Sequence, residues 1–186
     1  PLNTATRGSR KEFPAVAVLV LASDVLTIYD GDDPSLPLWM RFFSGGSNSD
    51  QYLLNRGSNG CSAVSALNGI ITVAAKNENN VSGGVRKIQM VSDTGIVHGT
   101  SSLTGHFKGN IEQRNDTLGI LSDPSVGDIV SRETNDVAMT VLPDAPIDPA
   151  TGLPIPTIAV ATDGGISVIK DDGTVVDSVS TSAKAK

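Results

Sequence analysis

Residues 63–74, Ala-Val-Ser-Ala-Leu-Asn-Gly-Ile-Ile-Thr-Val-Ala, place the pair Asn68-Gly69 between two apolar runs. Both residues of this pair adopt positive φ angles readily, and Asn-Gly between apolar runs is the strongest short-range signal for a β-hairpin. Elsewhere, every stretch with a helical period is interrupted by Gly, Pro or Asn. The sequence therefore predicts an all-β protein, with a two-residue hairpin turn at Asn68-Gly69.

The same pattern of apolar run, turn and apolar run recurs along the chain. The runs predicted to be strands are Ala15 to Leu21, Val25 to Tyr29, Leu38 to Phe43, Val85 to Val91, Ile96 to His98, Thr157 to Ala161, Ile166 to Ile169 and Val175-Val176. The turns between them are rich in Asp, Gly, Ser and Pro, which suit tight turns. The segment from Pro143 to Pro156 is proline-rich and is predicted to be a long surface loop.

The turns recur with a period of about 45 to 47 residues. Turns at Asp24, Gly69 and Gly164 fit this period if one further copy turns at Asn115-Asp116. In that copy, strands are predicted over Phe107 to Gln113 and Thr117 to Leu121, with Val137 to Leu142 as the last strand of the third unit.

About four strands in each period is typical of a β-propeller blade. The sequence predicts a single propeller-like domain of about four repeats over residues 13–180, with a β-sandwich as the alternative fold. Residues 1–12 are predicted to form a flexible basic arm, and residues 181–186 a tail. Because the fourth unit is short, either the ring closes by strand exchange between the termini or the chain is part of a larger, incomplete ring.

Composition excludes several classes of protein. The 186 residues are 18% charged and carry a net charge of −6, with little of the Ala, Glu, Lys and Leu bias of a coiled coil. An acidic body argues against a nucleic-acid groove. The longest apolar run is far shorter than a membrane span, so no membrane insertion is predicted. Cys61 is the only cysteine, which excludes a disulfide within the chain and fits assembly in a reducing cytoplasm.

Catalytic and cofactor motifs are missing from the sequence. His98 and His106 are too far apart for a zinc signature, so both are predicted to be structural or solvent-facing. No Gly-x-Ser-x-Gly elbow and no phosphate-binding glycine loop occurs. We therefore predict no enzymatic activity, no cofactor and no metal.

Three groups of residues remain as candidates for binding. Asp30, Asp32 and Asp33 cluster oxygen donors that suit a ligand or a hard cation, although Asp-Gly sequences are also ordinary turns. The arm residues Arg7, Arg10 and Lys11 suit docking to an acidic neighbour, with a solvated tail as the alternative. Trp39 could stack on a sugar, although buried packing is the interpretation that the pattern favours.

Six stretches of the sequence combine these strands and turns: Ala15 to Val20, Thr27 to Pro34, Leu36 to Met40, Asn135 to Pro143, Thr157 to Gly165 and Lys170 to Val176. Together they resemble propeller-like proteins encoded by marine tailed phages. The resemblance implies a structural protein of the virion, in a tail fibre or another appendage that contacts the host. It brings no catalytic residues with it.

The expected role is therefore that of a scaffold that also serves in host attachment, located in the virion after assembly in the host cytoplasm. Its expected partners are other virion proteins, further copies of this chain, and a glycan or receptor on the host surface. The first alternative is a non-viral β-propeller that binds carbohydrate or protein. The second is a glycan-degrading enzyme.

Overall fold

The computed structural model describes residues 12–22, 25–43, 53–54, 60–76, 83–100, 104–110, 113, 115 and 118–179. All the regular elements within these ranges are β-strands, so the predicted all-β class is confirmed. The same ranges contain no helix with the length and apolar character needed to cross a membrane. The arm predicted over residues 1–12, apart from Glu12, and the tail over 181–186 lie outside the described residues.

Thirteen strands are described, and they form three antiparallel sheets. The first sheet contains β1 (Ala17–Ala22), β2 (Val25–Asp30) and β3 (Leu38–Phe43). The second contains β4 (Cys61–Leu67), β5 (Ile70–Ala75), β6 (Gly84–Gln89), β7 (Thr94–His98), β8 (Gly105–Phe107) and β9 (Ile120–Ser122). The third contains β10 (Thr134–Thr140), β11 (Thr157–Thr162), β12 (Gly165–Ile169) and β13 (Val175–Val179). In each sheet the spatial order of the strands is their order in the sequence.

The tight hairpins form where the sequence predicts them. Leu67 pairs with Ile70 across the Asn68-Gly69 turn, whose φ angles of 52° and 77° are those of a type I′ turn. Thr162 pairs with Gly165 across the turn that precedes β12. At Asn68-Gly69 the positive φ angles of both turn residues match the twist of the two strands that they join.

The predicted division into four four-stranded units is wrong for the described strands. They form sheets of three, six and four strands, and only the third sheet has the predicted number. The strand predicted as the last of the third unit is β10, which instead begins the third sheet by pairing with β11. The predicted long loop connects β10 to β11, and the Ile147–Pro154 bridge pairs its two arms.

The copy predicted around Asn115-Asp116 differs most from its expectation. The strand expected from Phe107 to Gln113 already ends at Phe107, which pairs with Ile120 across twelve intervening residues. Asn115 contributes to the first sheet instead, because its side-chain amide binds the backbone of β3. Asp116 and Thr117 lie outside the described residues.

The second sheet lies between the other two, with an apolar core on each face. Register places Ile71 beside Ile88 on one face and Ala74 beside Val85 on the other. The first core joins the first two sheets and includes Leu26, Ile28, Trp39, Met40, Phe42, Ile71, Val73, Ile88 and Phe107. The second core joins the last two sheets and contains Ala74, Val85, Ile129, Val137, Ile158, Val160 and Ile169. Because β5 faces both cores, all six of its residues are buried.

A set of buried or half-buried polar side chains, here named the polar seam, borders the second core. It consists of Ser62, His98, Thr104 and Thr134. The Thr134 hydroxyl donates to the carbonyl of Ala75 at 2.8 Å, and the Ser62 hydroxyl donates to the carbonyl of Thr134 at 2.8 Å. These bonds tie the start of β10 to the second sheet, where the small residues of β4 allow a close approach.

Candidate functional site

A cleft of about 780 Å³ opens where three turns meet the segment that precedes β1. This volume lies within the range of small-molecule sites in proteins. The described residues that line it are Glu12, Phe13, Pro14, Ala15, Asn68, Gly69, Met90, Val91, Asp93, Asn110, Ala150, Thr151 and Leu153. Turns of antiparallel sheets gather at the sheet ends, which explains why residues so distant in sequence share one cleft.

One wall of the cleft is residues 12–15, and Trp39 fixes its position. The Trp39 side chain is fully buried, and its Nε1 donates a 2.8 Å hydrogen bond to the carbonyl of Glu12. The ring of Phe13 meets the Trp39 ring edge to face, with centroids 5.3 Å apart. Buried packing of Trp39 is thus confirmed, and its indole N–H has the partner that a buried indole needs.

Asp32 fixes the same wall from its other end. Its carboxylate oxygens accept hydrogen bonds of 2.9 Å from the backbone N–H groups of Ala15 and Val16. Gly31 then donates its backbone N–H to the Val16 carbonyl at 2.8 Å. A Cβ atom at Gly31 would lie 2.7 Å from that carbonyl oxygen, so only glycine allows this approach. Asp32 therefore orders the wall of the cleft.

The other two aspartates of the predicted binding cluster also bind their own chain. Asp30 is buried and its Oδ1 accepts the backbone N–H of Asp32 at 3.0 Å. Asp33 accepts both the backbone N–H and the hydroxyl of Ser35, at 2.9 and 2.8 Å, and these bonds lower the pKa of Asp33. Each of the three carboxylates thus has partners within the chain, and their binding of an external ligand or ion stays a prediction.

The Asp33 turn belongs to a motif that occurs three times. Asp123 binds the backbone and hydroxyl of Ser125, and Asp172 binds those of Thr174, in the same geometry. In each case hydrogen bonds to the charged carboxylate lower the aspartate pKa. Asp-x-Ser or Asp-x-Thr in this chain is thus a turn motif. Among the described residues, no group of three His, Cys, Asp or Glu side chains is arranged to hold a metal ion.

A second part of the cleft lining comes from the long loop between β10 and β11. This loop is ordered by its own backbone bonds, from Asp148 N–H to the Leu153 carbonyl at 2.9 Å and from Gly152 N–H to the Asp148 carbonyl at 2.7 Å. The Asn68 side chain donates to the Pro154 carbonyl at 2.8 Å, which joins this loop to the β4–β5 turn. Gln89 binds the Asp148 carboxylate. Both residues 12–15 and the β10–β11 loop, which line the cleft, are therefore held in place by hydrogen bonds.

The chemistry of the cleft is apolar and acidic. Phe13, Met90, Val91 and Leu153 supply hydrocarbon surface, and Val91 and Leu153 are exposed at its rim. Glu12 and Asp93 are the ionisable side chains among the described lining residues, and both are acidic. Amide and hydroxyl groups of Asn110 and Thr151 add hydrogen-bonding capacity. Such a surface suits a neutral or cationic polar ligand with a hydrocarbon face.

The two histidines lie away from this cleft. His98 is 3% exposed, and its Nδ1 donates to the Gly127 carbonyl at 3.0 Å. His106 is half-exposed, with its Nε2 3.2 Å from the Asp123 carboxylate. Their predicted structural and solvent-facing roles are confirmed. The proposed docking residues Arg7, Arg10 and Lys11 lie outside the described residues.

Sequence reasoning did not find the cleft. Local signals predict the Asn68-Gly69 turn and the loop from Pro143 to Pro156, but neither signal indicates that these segments line one cleft. We find no match to this chain among protein-family models, curated proteins or solved structures. The geometry of the cleft is therefore the main guide to its ligand.

Proposed function

We propose that this chain is a non-catalytic binding module that holds a neutral or amino sugar of a surface glycan in the cleft. The observation that carries the proposal is the cleft itself, with lining segments held in place by hydrogen bonds, apolar surface and two carboxylates. Sugars present C–H faces that pack on apolar side chains and hydroxyl groups that donate to carboxylate and amide oxygens.

The charge of the cleft selects among sugars. Glu12 and Asp93 repel the carboxylate or sulfate groups of anionic glycans, and a net charge of −6 acts in the same direction at longer range. An ammonium group, in contrast, gains a charge-assisted hydrogen bond. The ligand class is therefore neutral or amino sugars, and acidic polysaccharides bind least well.

We place this module in an appendage of a tailed-phage virion, where it acts as a scaffold and in host attachment. The support for this setting is the sequence resemblance described above. Three consecutive meander sheets stacked face to face also resemble neighbouring blades of a propeller, and we propose that finer description of the fold over a sandwich. Many copies in one appendage would convert a weak sugar contact into stable attachment.

Binding of a panel of neutral, amino and anionic oligosaccharides to the full chain tests the proposal. The Asp93→Asn variant removes one charge from the cleft and keeps the positive φ of 55°, which asparagine tolerates. We expect binding to the preferred amino sugar to weaken by about tenfold, corresponding to the loss of about 1.4 kcal/mol. Asp144→Asn is the matched control, because Asp144 is exposed and does not line the cleft.

Three results of the binding experiment would contradict the proposal. They are binding to anionic glycans alone, equal loss of binding in both variants, and no binding to any member of the panel at millimolar concentration. Loss of polysaccharide viscosity on addition of the protein would contradict the non-catalytic role. For the virion setting, peptides of this chain should occur at many copies in mass spectra of purified particles, and their absence there would exclude it.

A further inference from the structure

The exposed edges of the three sheets are protected to different degrees. An unprotected edge strand presents free N–H and C=O groups to any other strand, and natural proteins block such edges with charges, short strands or covering groups. At the outer edge of β3, the Asn115 side chain accepts from the Phe43 N–H at 2.8 Å and donates to the Arg41 carbonyl at 2.8 Å. One amide thus occupies the positions that a neighbouring strand would use.

The remaining edges, apart from β1, are protected by other means. Strand β9 has only three residues, which limits any ladder that it could form. Strand β13 carries Asp177 at its centre, so that two copies of this edge would bring like charges together. Strands β4 and β10 lie beside one another, so each limits access to the edge of the other. The Ser62 hydroxyl of β4 donates to the Thr134 carbonyl of β10 at this contact.

Within the part of the chain that the structure describes, strand β1 has no charge, no shortening and no covering amide of this kind. Residues 15–22 are all apolar and carry no charge. Among the described strands, β1 pairs with β2 alone, and Asp32 blocks only the backbone N–H groups of Ala15 and Val16. Val16, Val18 and Val20 are 57%, 39% and 45% exposed, although Thr27, which pairs with Val20, is only 7% exposed. On this outer face, the β2 side chain is therefore buried, whereas the valine side chains of β1 are exposed to solvent.

We propose that two copies of this chain associate by antiparallel pairing of their β1 strands about a two-fold axis at Leu19. In this register Val18 of each copy faces Val20 of the other, and Ala17 faces Leu21. Residues that face one another are then both even-numbered or both odd-numbered. The core-facing side chains of both copies therefore lie on one face of the joint sheet, and the exposed valines of both copies lie on the other. The two first sheets become one six-stranded sheet across the axis.

Three properties of β1 favour a second copy over another partner. The strand is self-complementary, with β-branched residues opposite one another on the outer face and a small residue opposite a large one on the inner face. Its lack of charge removes the like-charge repulsion that two copies of β13 would suffer at Asp177. The two-fold contact also closes on itself and leaves no unpaired β1 edge. This inference does not depend on what the cleft binds.

Sedimentation equilibrium of the full chain over a range of concentrations tests this dimer. We expect a species of twice the 19.2 kDa chain mass. The Val20→Lys variant places two cations in the contact and should raise the dimer dissociation constant at least about tenfold. Val176→Lys is the matched control, because Val176 is 49% exposed and lies on the other terminal edge strand, β13. It should dimerise like the wild type.

A cross-link tests the register. In the Val18→Cys/Val20→Cys variant, oxidation should join two chains through cysteines that face one another across the axis, and a Val176→Cys/Ser178→Cys variant should not cross-link. The proposal is overturned if the wild-type chain is a monomer at about 100 µM, if growth continues beyond two copies, or if only Val176→Lys prevents association. It is also overturned if the β1 cysteines do not cross-link.

Discussion

The two apolar cores of this protein are built in different ways. The first contains the large side chains of Trp39, Phe42, Met40 and Phe107, and all of them are nearly or fully buried. In the second, the described buried residues are Ala, Val and Ile, with no aromatic side chain among them. The polar seam borders the second core, with Thr134 and His98 almost inaccessible to solvent. The first pair of sheets is thus held by apolar volume, and the second pair depends in addition on buried hydrogen bonds.

This difference predicts which substitutions destabilise each interface between sheets most. A core of large side chains loses most when a side chain is truncated, because a large cavity remains. A thin core beside buried polar groups loses most when a hydrogen-bond partner is removed or a buried group gains a charge. Three measurements test the comparison.

The largest effect is expected from Phe42→Ala in the first core. Phe42 is fully buried, and removal of its ring should reduce the free energy of unfolding by about 3–5 kcal/mol. Ile158→Val, a truncation at a fully buried position of the second core, should cost about 0.5–1.5 kcal/mol. Urea denaturation measures both. Similar losses in the two variants would remove the distinction between the cores.

An intermediate effect is expected from Thr134→Val in the polar seam. The Thr134 hydroxyl binds the carbonyls of Ala75 and Gly84, at 2.8 and 3.3 Å. Valine keeps the shape and leaves these carbonyls without that donor, which should cost about 1–3 kcal/mol in urea denaturation. Thr134→Ser keeps the hydroxyl and should recover most of the loss. Wild-type stability in Thr134→Val would mean that the seam does not hold the third sheet.

The smallest effect is a pH dependence that arises from His98. Burial lowers its pKa, and the nearby Lys87 and His106 act in the same direction, whereas the hydrogen bond to Gly127 and the charge of Asp128 oppose them. The unfolded chain therefore takes up a proton at a higher pH than the folded chain. Stability is full above the unfolded pKa of about 6.5 and falls as the pH decreases below it, by at most about 1.4 kcal/mol per pH unit.

Urea denaturation between pH 7 and pH 5 measures this slope. His98→Gln should remove it, whereas His106→Gln removes only one of the smaller contributions to the lowered pKa of His98 and should retain most of the slope. The exposed turn carboxylates Asp33, Asp123 and Asp172 have lowered pKa values, so their contribution is lost only at more acidic pH. A slope that persists in His98→Gln would mean that another group titrates in this range.

The sequence predicted the hairpins well because their signals are local. Asn68-Gly69 determines its own turn, and the apolar runs on either side of it form the two paired strands. The strands predicted over Phe107 to Gln113 and Thr117 to Leu121 overlap β8 and β9 only at one end, since both strands have three residues and are too short for alternation to fix their bounds. The period of 45 to 47 residues also led to a wrong assignment of β10, because the spacing of turns along the sequence does not show which strands pair.

The cleft was beyond sequence reasoning for a different physical reason. Its residues come from separate turns, and only the stacking of the sheets brings them together. The aspartate cluster was recognised, but the carboxylate of Asp32 binds N–H groups of Ala15 and Val16, about sixteen residues earlier. Nothing in the local pattern distinguishes such a long-range backbone acceptor from a ligand-binding carboxylate.

The order of the strands has a consequence for how the chain acquires its structure. Within the described residues every ladder joins strands that are neighbours in sequence. Each sheet can therefore form as soon as its own last strand has left the ribosome, without waiting for a later segment. Most loop closures inside a sheet are short, the β8–β9 and β10–β11 connections being longer, and the stacking of finished sheets joins still more distant parts of the chain. During synthesis, the large apolar side chains of the first sheet stay exposed until β5 and β6 arrive to cover them.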